Sequence, residues 1–194
     1  MERRYYQSGA EIEVREEGRR VLVGYAAVFY RQDEPGTQYA LWEGVVERIA
    51  PGAFARAIRE RQDVRGLFNH DPSLILGRTT AGTLRLSEDA RGLRYEIDLA
   101  ETHLAADLAA SVERGDLSGS SFAFTIRSRK IEEDAGTQVR TILDVDLFDV
   151  GPVTYPAYEA TSAALRGQGE FEELRRDLAE RRRLAELEAL LDPR

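Results

Sequence analysis

Three serines lie close together at Ser118, Ser120 and Ser121, and a serine hydroxyl can act as a nucleophile. Gly115 and Gly119 sit among them and allow backbone conformations that other residues avoid. A turn of this kind, between a helix and a strand, can present a hydroxyl beside backbone N–H groups, which acyl transfer needs to stabilise an oxyanion. The same composition is also common in ordinary turns, so the segment alone does not identify a nucleophile.

Only two histidines are available to serve as a general base, His70 and His103. His70 follows the apolar pair Leu67 and Phe68, at the end of a predicted strand, where a purely structural histidine is the alternative. His103 falls in the first turn of a predicted amphipathic helix, on its polar side, and we expect it to be solvated. His70 is therefore the better candidate.

A carboxylate that orients the base is the third requirement of such a site. On a strand that continues without a bulge, Asp149 has the same parity as Val145 and Leu147 and lies on the apolar face. A carboxylate in that position needs a partner, and an imidazole is a natural one; a surface aspartate at a strand end is the alternative. Asp71 is adjacent to His70, a spacing that points its side chain elsewhere. We expect three residues of the opposite parity to face solvent: Arg140, Asp144 and Asp146.

The elements that must position these side chains are mostly strands. Alternating and β-branched residues predict strands over 20–29, 41–49, 84–86, 93–99, 122–126 and 139–148, with 84–99 forming a hairpin. Helices are predicted near 51–58 and over 102–114, the second ending at Gly115. The pattern indicates an α+β domain built on a barrel or a strongly curved sheet.

Composition excludes several classes of function. A net charge of −8 argues against a nucleic-acid-binding protein. The absence of cysteine excludes disulfides, thiolate zinc sites and cysteine nucleophiles. No signal peptide and no apolar run of about 18 residues is present, so we expect an intracellular protein without a membrane partner.

The character of the chain changes after about residue 165. We expect one domain over 1–165 and a charged helical extension over 166–194, because 170–191 contains neither Gly nor Pro and is dense in Glu, Arg, Leu and Ala. This C-terminal helix either docks on a partner protein or is a solvated appendage.

Six short motifs, taken in order, resemble the prohead proteases of tailed bacteriophages. They are Gly24-Tyr25-Ala26-Ala27-Val28-Phe29, Ile49-Ala50-Pro51-Gly52-Ala53-Phe54, Phe68-Asn69-His70-Asp71 with Leu76-Gly77-Arg78, Gly82-Thr83-Leu84-Arg85-Leu86, Ser118-Gly119-Ser120-Ser121-Phe122-Ala123-Phe124 and Val150-Gly151-Pro152-Val153-Thr154-Tyr155-Pro156-Ala157-Tyr158. The resemblance covers about residues 24–164. It implies a fold like that of the herpesvirus assemblins, a closed β-barrel of mostly antiparallel strands surrounded by a few helices.

The resemblance also implies roles for individual residues. The family's histidine corresponds to His70, and its nucleophile directly precedes a Phe-small-Phe sequence, which selects Ser121 rather than Ser118 or Ser120. The third member is usually acidic in the phage enzymes and corresponds to Asp149. Asp146 is the second choice for this position.

The expected activity is that of a serine endopeptidase that cuts the scaffolding segment and major capsid protein of a phage, and itself, inside the assembling procapsid in the host cytoplasm. No metal or organic cofactor is expected, and a homo-oligomer such as a dimer is. A non-enzymatic assembly factor on the same fold is the main alternative. A small-ester hydrolase is disfavoured because both histidines precede Ser121 and no Gly-x-Ser-x-Gly elbow is present.

Overall fold

The computed structural model of the protein describes residues 1–154 apart from 7–9, 16–18, 35 and 135. The predicted domain boundary near residue 165 and the C-terminal helix over 170–191 lie outside the described residues. None of the helices in the described part is long and apolar enough to cross a membrane.

Strands dominate the described residues, with two short α-helices between them, as the α+β prediction requires. The elements are β1 (Glu2–Tyr6), β2 (Glu11–Val14), β3 (Arg20–Val28), β4 (Gln38–Trp42), β5 (Val45–Ile49), α1 (Ala55–Arg59), β6 (Arg65–Leu67), β7 (Ile75–Arg78), β8 (Leu84–Glu88), β9 (Gly92–Asp98), α2 (His103–Glu113), β10 (Gly119–Asp134) and β11 (Thr137–Val153).

Most predicted elements are confirmed with shifted boundaries, and one predicted strand is in fact two. The helix predicted over 102–114 is α2, capped by the Thr102 hydroxyl at 3.2 Å from the Ala105 N–H and followed by Gly115 in a left-handed conformation. The single strand predicted over 41–49 is wrong, because Gly44 has a φ of +75° and turns the chain between β4 and β5.

The strands form two sheets. The first follows the order β1-β10-β11-β5-β4, with β6 also paired to β11 and β7 to β6, and the second follows β2-β3-β9-β8. The predicted closed barrel is wrong: within the part of the chain that the structure describes, neither sheet pairs its first strand with its last, as a barrel requires. Alternation in the sequence identifies strands but not the partners of the edge strands.

The two sheets share one hydrophobic core. Phe122 of β10 packs against Phe124 at 4.7 Å between ring centroids and edge-on against Phe54 at 5.5 Å. The second sheet contributes the fully buried Leu22 and Tyr95. Burial of each such side chain stabilises the fold by about 1.5–3 kcal/mol, and this packing fixes the position of β10.

A bulge changes the faces of β11. Leu147 pairs with Phe124, whereas Asp149 pairs with Ala123, so Phe148 has no partner of its own. Because Ala123 and Phe124 point to opposite sides of the sheet, Asp149 lies on the face opposite Leu147. The bulge-free strand assumed from the sequence is therefore wrong, although Asp149 is buried, with 5% exposure.

A second irregularity, near Leu143, explains another error. Ile142 pairs with Arg129 and Asp144 with Ser128, so that Leu143 is displaced and 42% exposed. Arg140 then falls on the buried face with Ile142, and the expectation that Arg140 is solvated is wrong, since it is only 7% exposed.

Candidate active site

Ser121 lies inside β10 rather than in the turn expected from its neighbours. The strand begins at Gly119, and Ser121 pairs with Tyr5 of β1 on one side and Gly151 of β11 on the other. Ser121 is 2% exposed. Two flanking strands hold its backbone, so the side chain has a defined direction.

His70 lies in the loop that joins β6 to β7. Asn69 and His70 have φ values of +55° and +58°, a left-handed conformation that costs energy for residues other than glycine. Two consecutive residues of this kind are compensated by local hydrogen bonds, including the Asp71 N–H to the Phe68 carbonyl at 3.0 Å. The Asp71 carboxylate accepts from the Ser73 N–H at 2.8 Å and takes no part in orienting His70.

The loop meets β11 directly. β6 runs parallel to β11, with Arg65 opposite Asp149 and Gly66 opposite Val150. The Asn69 N–H donates to the Pro152 carbonyl at 3.0 Å. This pairing carries the residues after β6 over the face of the sheet from which Asp149 and Ser121 project.

The structure brings Ser121, His70 and Asp149 together in one hydrogen-bonded chain. Asp149 Oδ1 lies 2.5 Å from His70 Nδ1, and His70 Nε2 lies 2.6 Å from Ser121 Oγ. The side chains of His70 and Asp149 are 9% and 7% exposed. With the proton on Nδ1 donated to Asp149, Nε2 is free to accept the Ser121 proton, which is the geometry a general base needs.

The hydroxyl of Ser121 has a second acceptor within reach. Ser121 Oγ lies 2.8 Å from the carbonyl oxygen of Arg4 in β1. A hydroxyl has one proton, so it can donate either to this carbonyl or to His70 at a given moment. The N-terminal strand therefore reaches the same atom as the imidazole.

The other sequence candidates lie elsewhere. Ser120 points into the core, where its Oγ bonds the Tyr95 hydroxyl at 2.8 Å, and burial raises the pKa of Tyr95 despite that bond. Ser118 is exposed and precedes β10, and His103 is exposed at the start of α2. Asp146 accepts from the Arg56 guanidinium at 2.7 Å.

The environment of Asp146 differs chemically from that of Asp149. Hydrogen bonding by Arg56, and further bonding by Gln62 at 3.0 Å, hold the pKa of Asp146 below its usual value despite partial burial. A carboxylate so occupied has a structural role, joining α1 to β11. In the part of the chain that the structure describes, no group of three or more His, Asp and Glu side chains is placed to hold a metal ion.

A group of charged side chains that the sequence analysis did not predict is linked to this site through the backbone of Arg4, whose carbonyl contacts Ser121. Glu47 is fully buried and takes hydrogen bonds from the guanidinium groups of Arg4 and Arg140, each at 2.5 Å. Glu2 accepts from both arginines as well, at 2.5 and 2.9 Å. The one signal in the sequence is that Glu47 has the parity of Val45 and Ile49 in a strand with a buried face.

Comparisons with known proteins identify the family of the chain. The chain is similar to the bacteriophage T4 capsid assembly protease, gp21, with a TM-score of 0.47 and 12% identity over 78% of this chain and 97% of that chain. No match was found among curated proteins. A family model described as caudovirus prohead serine protease matches residues 9–175, which confirms the resemblance seen in the sequence motifs. Because this match covers most of the sequence, the chain belongs to the caudovirus prohead serine proteases.

Proposed function

We propose that the protein is a serine endopeptidase that uses Ser121, His70 and Asp149 to cut scaffold and capsid-protein segments inside the assembling procapsid. The observation that carries this proposal is the unbroken chain from Asp149 Oδ1 through the imidazole to Ser121 Oγ, with separations of 2.5 and 2.6 Å. Membership of the family supports the proposed substrate class, and the chain of hydrogen bonds supports the proposed mechanism.

The reaction begins when His70 Nε2 takes the proton of Ser121 as Oγ attacks the carbonyl carbon of the scissile peptide. The resulting imidazolium is stabilised by Asp149, which also holds the ring in its orientation. His70 then gives its proton to the leaving amine, and the amine departs from an acyl-enzyme. Water, deprotonated by His70, hydrolyses the ester and restores Ser121.

Burial strengthens each of these interactions. Ser121 and Asp149 are both nearly inaccessible to water, so the imidazolium and the carboxylate attract each other in a medium of low dielectric constant. A buried carboxylate without a partner is costly, so the contact with His70 Nδ1 stabilises Asp149 in this position.

The experiment is co-expression of the chain with the major capsid protein of its phage, with cleavage products identified by intact mass. Wild type is expected to cut the capsid protein, and Ser121→Ala to lose at least about 10³-fold in rate. Ser120→Ala is the matched control, since it removes a hydroxyl from the adjacent residue without touching His70. That variant leaves the Tyr95 hydroxyl unpaired and should lose about 1–3 kcal/mol of stability while still cutting.

Two results would contradict the proposal. Cleavage that persists in Ser121→Ala would move the nucleophile to another residue. Absence of cleavage by wild type, together with normal entry of the protein into proheads, would favour the alternative of an assembly factor without enzymatic activity.

A further inference from the structure

The N-terminal strand lies along the nucleophile in the manner of a bound peptide. β1 pairs antiparallel with β10, with Tyr5 opposite Ser121 and Arg4 opposite Phe122. Peptides are commonly recognised by addition of a strand to a sheet, with main-chain hydrogen bonds for affinity and pockets for alternate side chains. The edge of β10 beside Ser121 is the edge that an extended substrate would need, and residues of the chain itself occupy it.

The contact between Arg4 and Ser121 fixes which residue of this strand corresponds to the scissile position. The Ser121 hydroxyl lies within hydrogen-bond distance of the Arg4 carbonyl oxygen, at 2.8 Å, so Arg4 is the residue of β1 whose carbonyl group is placed at the nucleophile. In a substrate, the residue whose carbonyl lies at the nucleophile is the one after which the chain is cut. Arg4 therefore occupies the position of the residue preceding the scissile bond.

The side chain of Arg4 enters a site built from other strands. Its guanidinium donates to both carboxylate oxygens of Glu47 in β5, at 2.5 and 3.2 Å, and lies 5.4 Å from the centroid of the Phe124 ring. Arg140 of β11 binds the same carboxylate. Glu47, Arg140 and Phe124 belong to strands other than β1, and Arg140 bonds Glu47 without the help of β1, so the groups that receive Arg4 are supplied by the rest of the sheet.

The charges of this site stay balanced when β1 is in place, because β1 contributes one side chain of each sign. Glu47 and Arg140 form one pair, and Arg4 and Glu2 supply the second, with Glu2 Oε2 accepting from both guanidinium groups. Burial would raise the pKa of Glu2, but the charges of Arg4 and Arg140 outweigh it and lower that pKa. An arginine entering alone would leave an uncompensated buried charge, which is costly.

We propose that the substrate strand replaces β1 beside β10, and that Glu47 selects an arginine before the scissile bond together with an acidic residue two positions earlier. This inference rests on the proposed function, because it assigns a specificity to the same nucleophile. β1, with Glu2 and Arg4, is then an internal copy of the substrate that holds the cleft closed until it is displaced.

The sequence contains a second copy of the same three residues. Glu180-Arg181-Arg182 repeats Glu2-Arg3-Arg4, and Arg183 follows it. A synthetic peptide of residues 176–188 is therefore a suitable probe. It offers three consecutive arginines, of which only Arg182 has a glutamate two positions before it.

The experiment uses the full-length protein and reads peptide products by mass, alongside labelling of Ser121 by a fluorophosphonate. Cleavage is expected after Arg182, with a fall of about tenfold or more when the peptide carries Arg182→Gln or Glu180→Gln. Protein carrying Arg4→Ala should cut the peptide about tenfold faster, because fewer molecules have a closed cleft. Arg3→Ala is the matched control, since Arg3 is exposed, and should behave as wild type.

A variant of the site itself gives a further readout. Glu47→Gln should reduce the preference for the unmodified peptide over the peptide that carries Arg182→Gln. The cleavage rates of the two peptides are measured on the same protein sample. Any unfolded fraction of the Glu47→Gln protein then lowers both rates equally and cancels in their ratio.

The outcomes separate the two proposals. If Ser121 is labelled but the peptide is cut elsewhere, or the two glutamine-substituted peptides are cut equally well, or Arg4→Ala is no faster, the specificity is overturned and the serine protease stands. If Ser121 is not labelled and neither wild type nor Arg4→Ala cuts any peptide, the proposed function falls and the specificity falls with it.

Discussion

The side chain of Asn69 accepts two hydrogen bonds from Thr154, one from its backbone N–H at 2.9 Å and one from its hydroxyl at 3.1 Å. Thr154 directly follows β11, the strand that carries Asp149. His70, the proposed general base, and Asp149 are therefore tied to the same strand, His70 through its loop and Asp149 as a residue of β11. This connection holds His70 in place although its loop has a strained backbone.

Asn69 should accordingly act as a positioning residue. Asn69→Ala removes both bonds to Thr154 and places alanine in a left-handed conformation, at a cost of about 1–2 kcal/mol. We expect kcat to fall about ten- to a hundredfold with little change in KM, because His70 is misplaced while the substrate edge of β10 is intact. Steady-state kinetics on a cleaved peptide measure this.

The matched variant is Asn69→Gly, which accepts the left-handed conformation but also lacks the two bonds. Its kcat should lie between those of wild type and Asn69→Ala. Equal losses in the two variants would show that backbone strain contributes nothing at this position.

Asp149 and Asp146 provide a matched pair of carboxylates on one strand. Asp149→Asn should lower kcat by about 10⁴-fold, because an amide no longer favours the tautomer in which Nε2 accepts the Ser121 proton. Asp146→Asn weakens the contacts with Arg56 and should mainly lower the midpoint of thermal unfolding. A larger loss of kcat in Asp146→Asn than in Asp149→Asn would reverse these assignments.

Gly151 is required by the close approach of β6. A Cβ atom at this position would lie 2.0 Å from the Leu67 carbonyl oxygen. Gly151→Ala must displace β6, and since the chain continues from Leu67 to His70, both stability and kcat should fall. We expect a loss of about 1–3 kcal/mol by denaturant unfolding and a measurable loss of activity.

The control for this prediction is Gly44→Ala, in the turn between β4 and β5. Its φ is +75° and no atom lies within 4 Å of an added Cβ, so it should cost about 1 kcal/mol of stability without lowering kcat. An active Gly151→Ala would contradict the coupling between β6 and His70.

Glu96 should make the stability of the fold depend on pH under acidic conditions. Hydrogen bonding by Arg15, followed by Arg94 and Arg85, lowers its pKa from 4.5 to about 2 despite partial burial. A lowered pKa contributes stability that is fully present above the unfolded value and is lost as the pH falls toward the folded one. Glu96→Gln should therefore be less stable than wild type near neutral pH.

The difference in free energy of unfolding between Glu96→Gln and wild type should become smaller as the pH falls from about 4.5 to about 2. Denaturant unfolding at several pH values measures it, with Glu133→Gln in the exposed part of β10 as control. A difference that does not change with pH would mean that Glu96 acts through packing and not through its charge.

Local patterns predicted the elements well and their arrangement poorly. Alternation, turn composition and capping predicted β3, the β8–β9 hairpin and α2. These three signals depend only on residues that are close together in the sequence. The closed barrel was wrong because pairing between edge strands depends on contacts between distant parts of the chain. The bulges at Phe148 and Leu143 also depend on the partner strand, and the residues next to them carry no sequence pattern that predicts a bulge.

The candidate site illustrates the same division. His70 and Ser121 were selected from short motifs, and their 2.6 Å contact depends on parallel pairing of β6 with β11 that no local motif contains. Asp149 was selected from the family resemblance and on the premise of a regular strand, whereas the strand that carries it to His70 is irregular. The involvement of Arg4 was not predicted, since a strand of five residues at the start of the chain carries little pattern.

The outer half of β10 has an open edge at which copies of the protein could pair. Within the described residues, β11 pairs with β10 along its length, but β1 covers only Ser120–Phe124 of its other edge. The uncovered stretch is exposed and carries Arg127, Arg129, Lys130, Glu132, Glu133 and Asp134. Charged side chains on an open strand edge oppose sheet-to-sheet association between molecules. The charged residues of this stretch therefore disfavour edge-to-edge pairing between copies of the protein, which leaves β10 open on this side without making it a site of association.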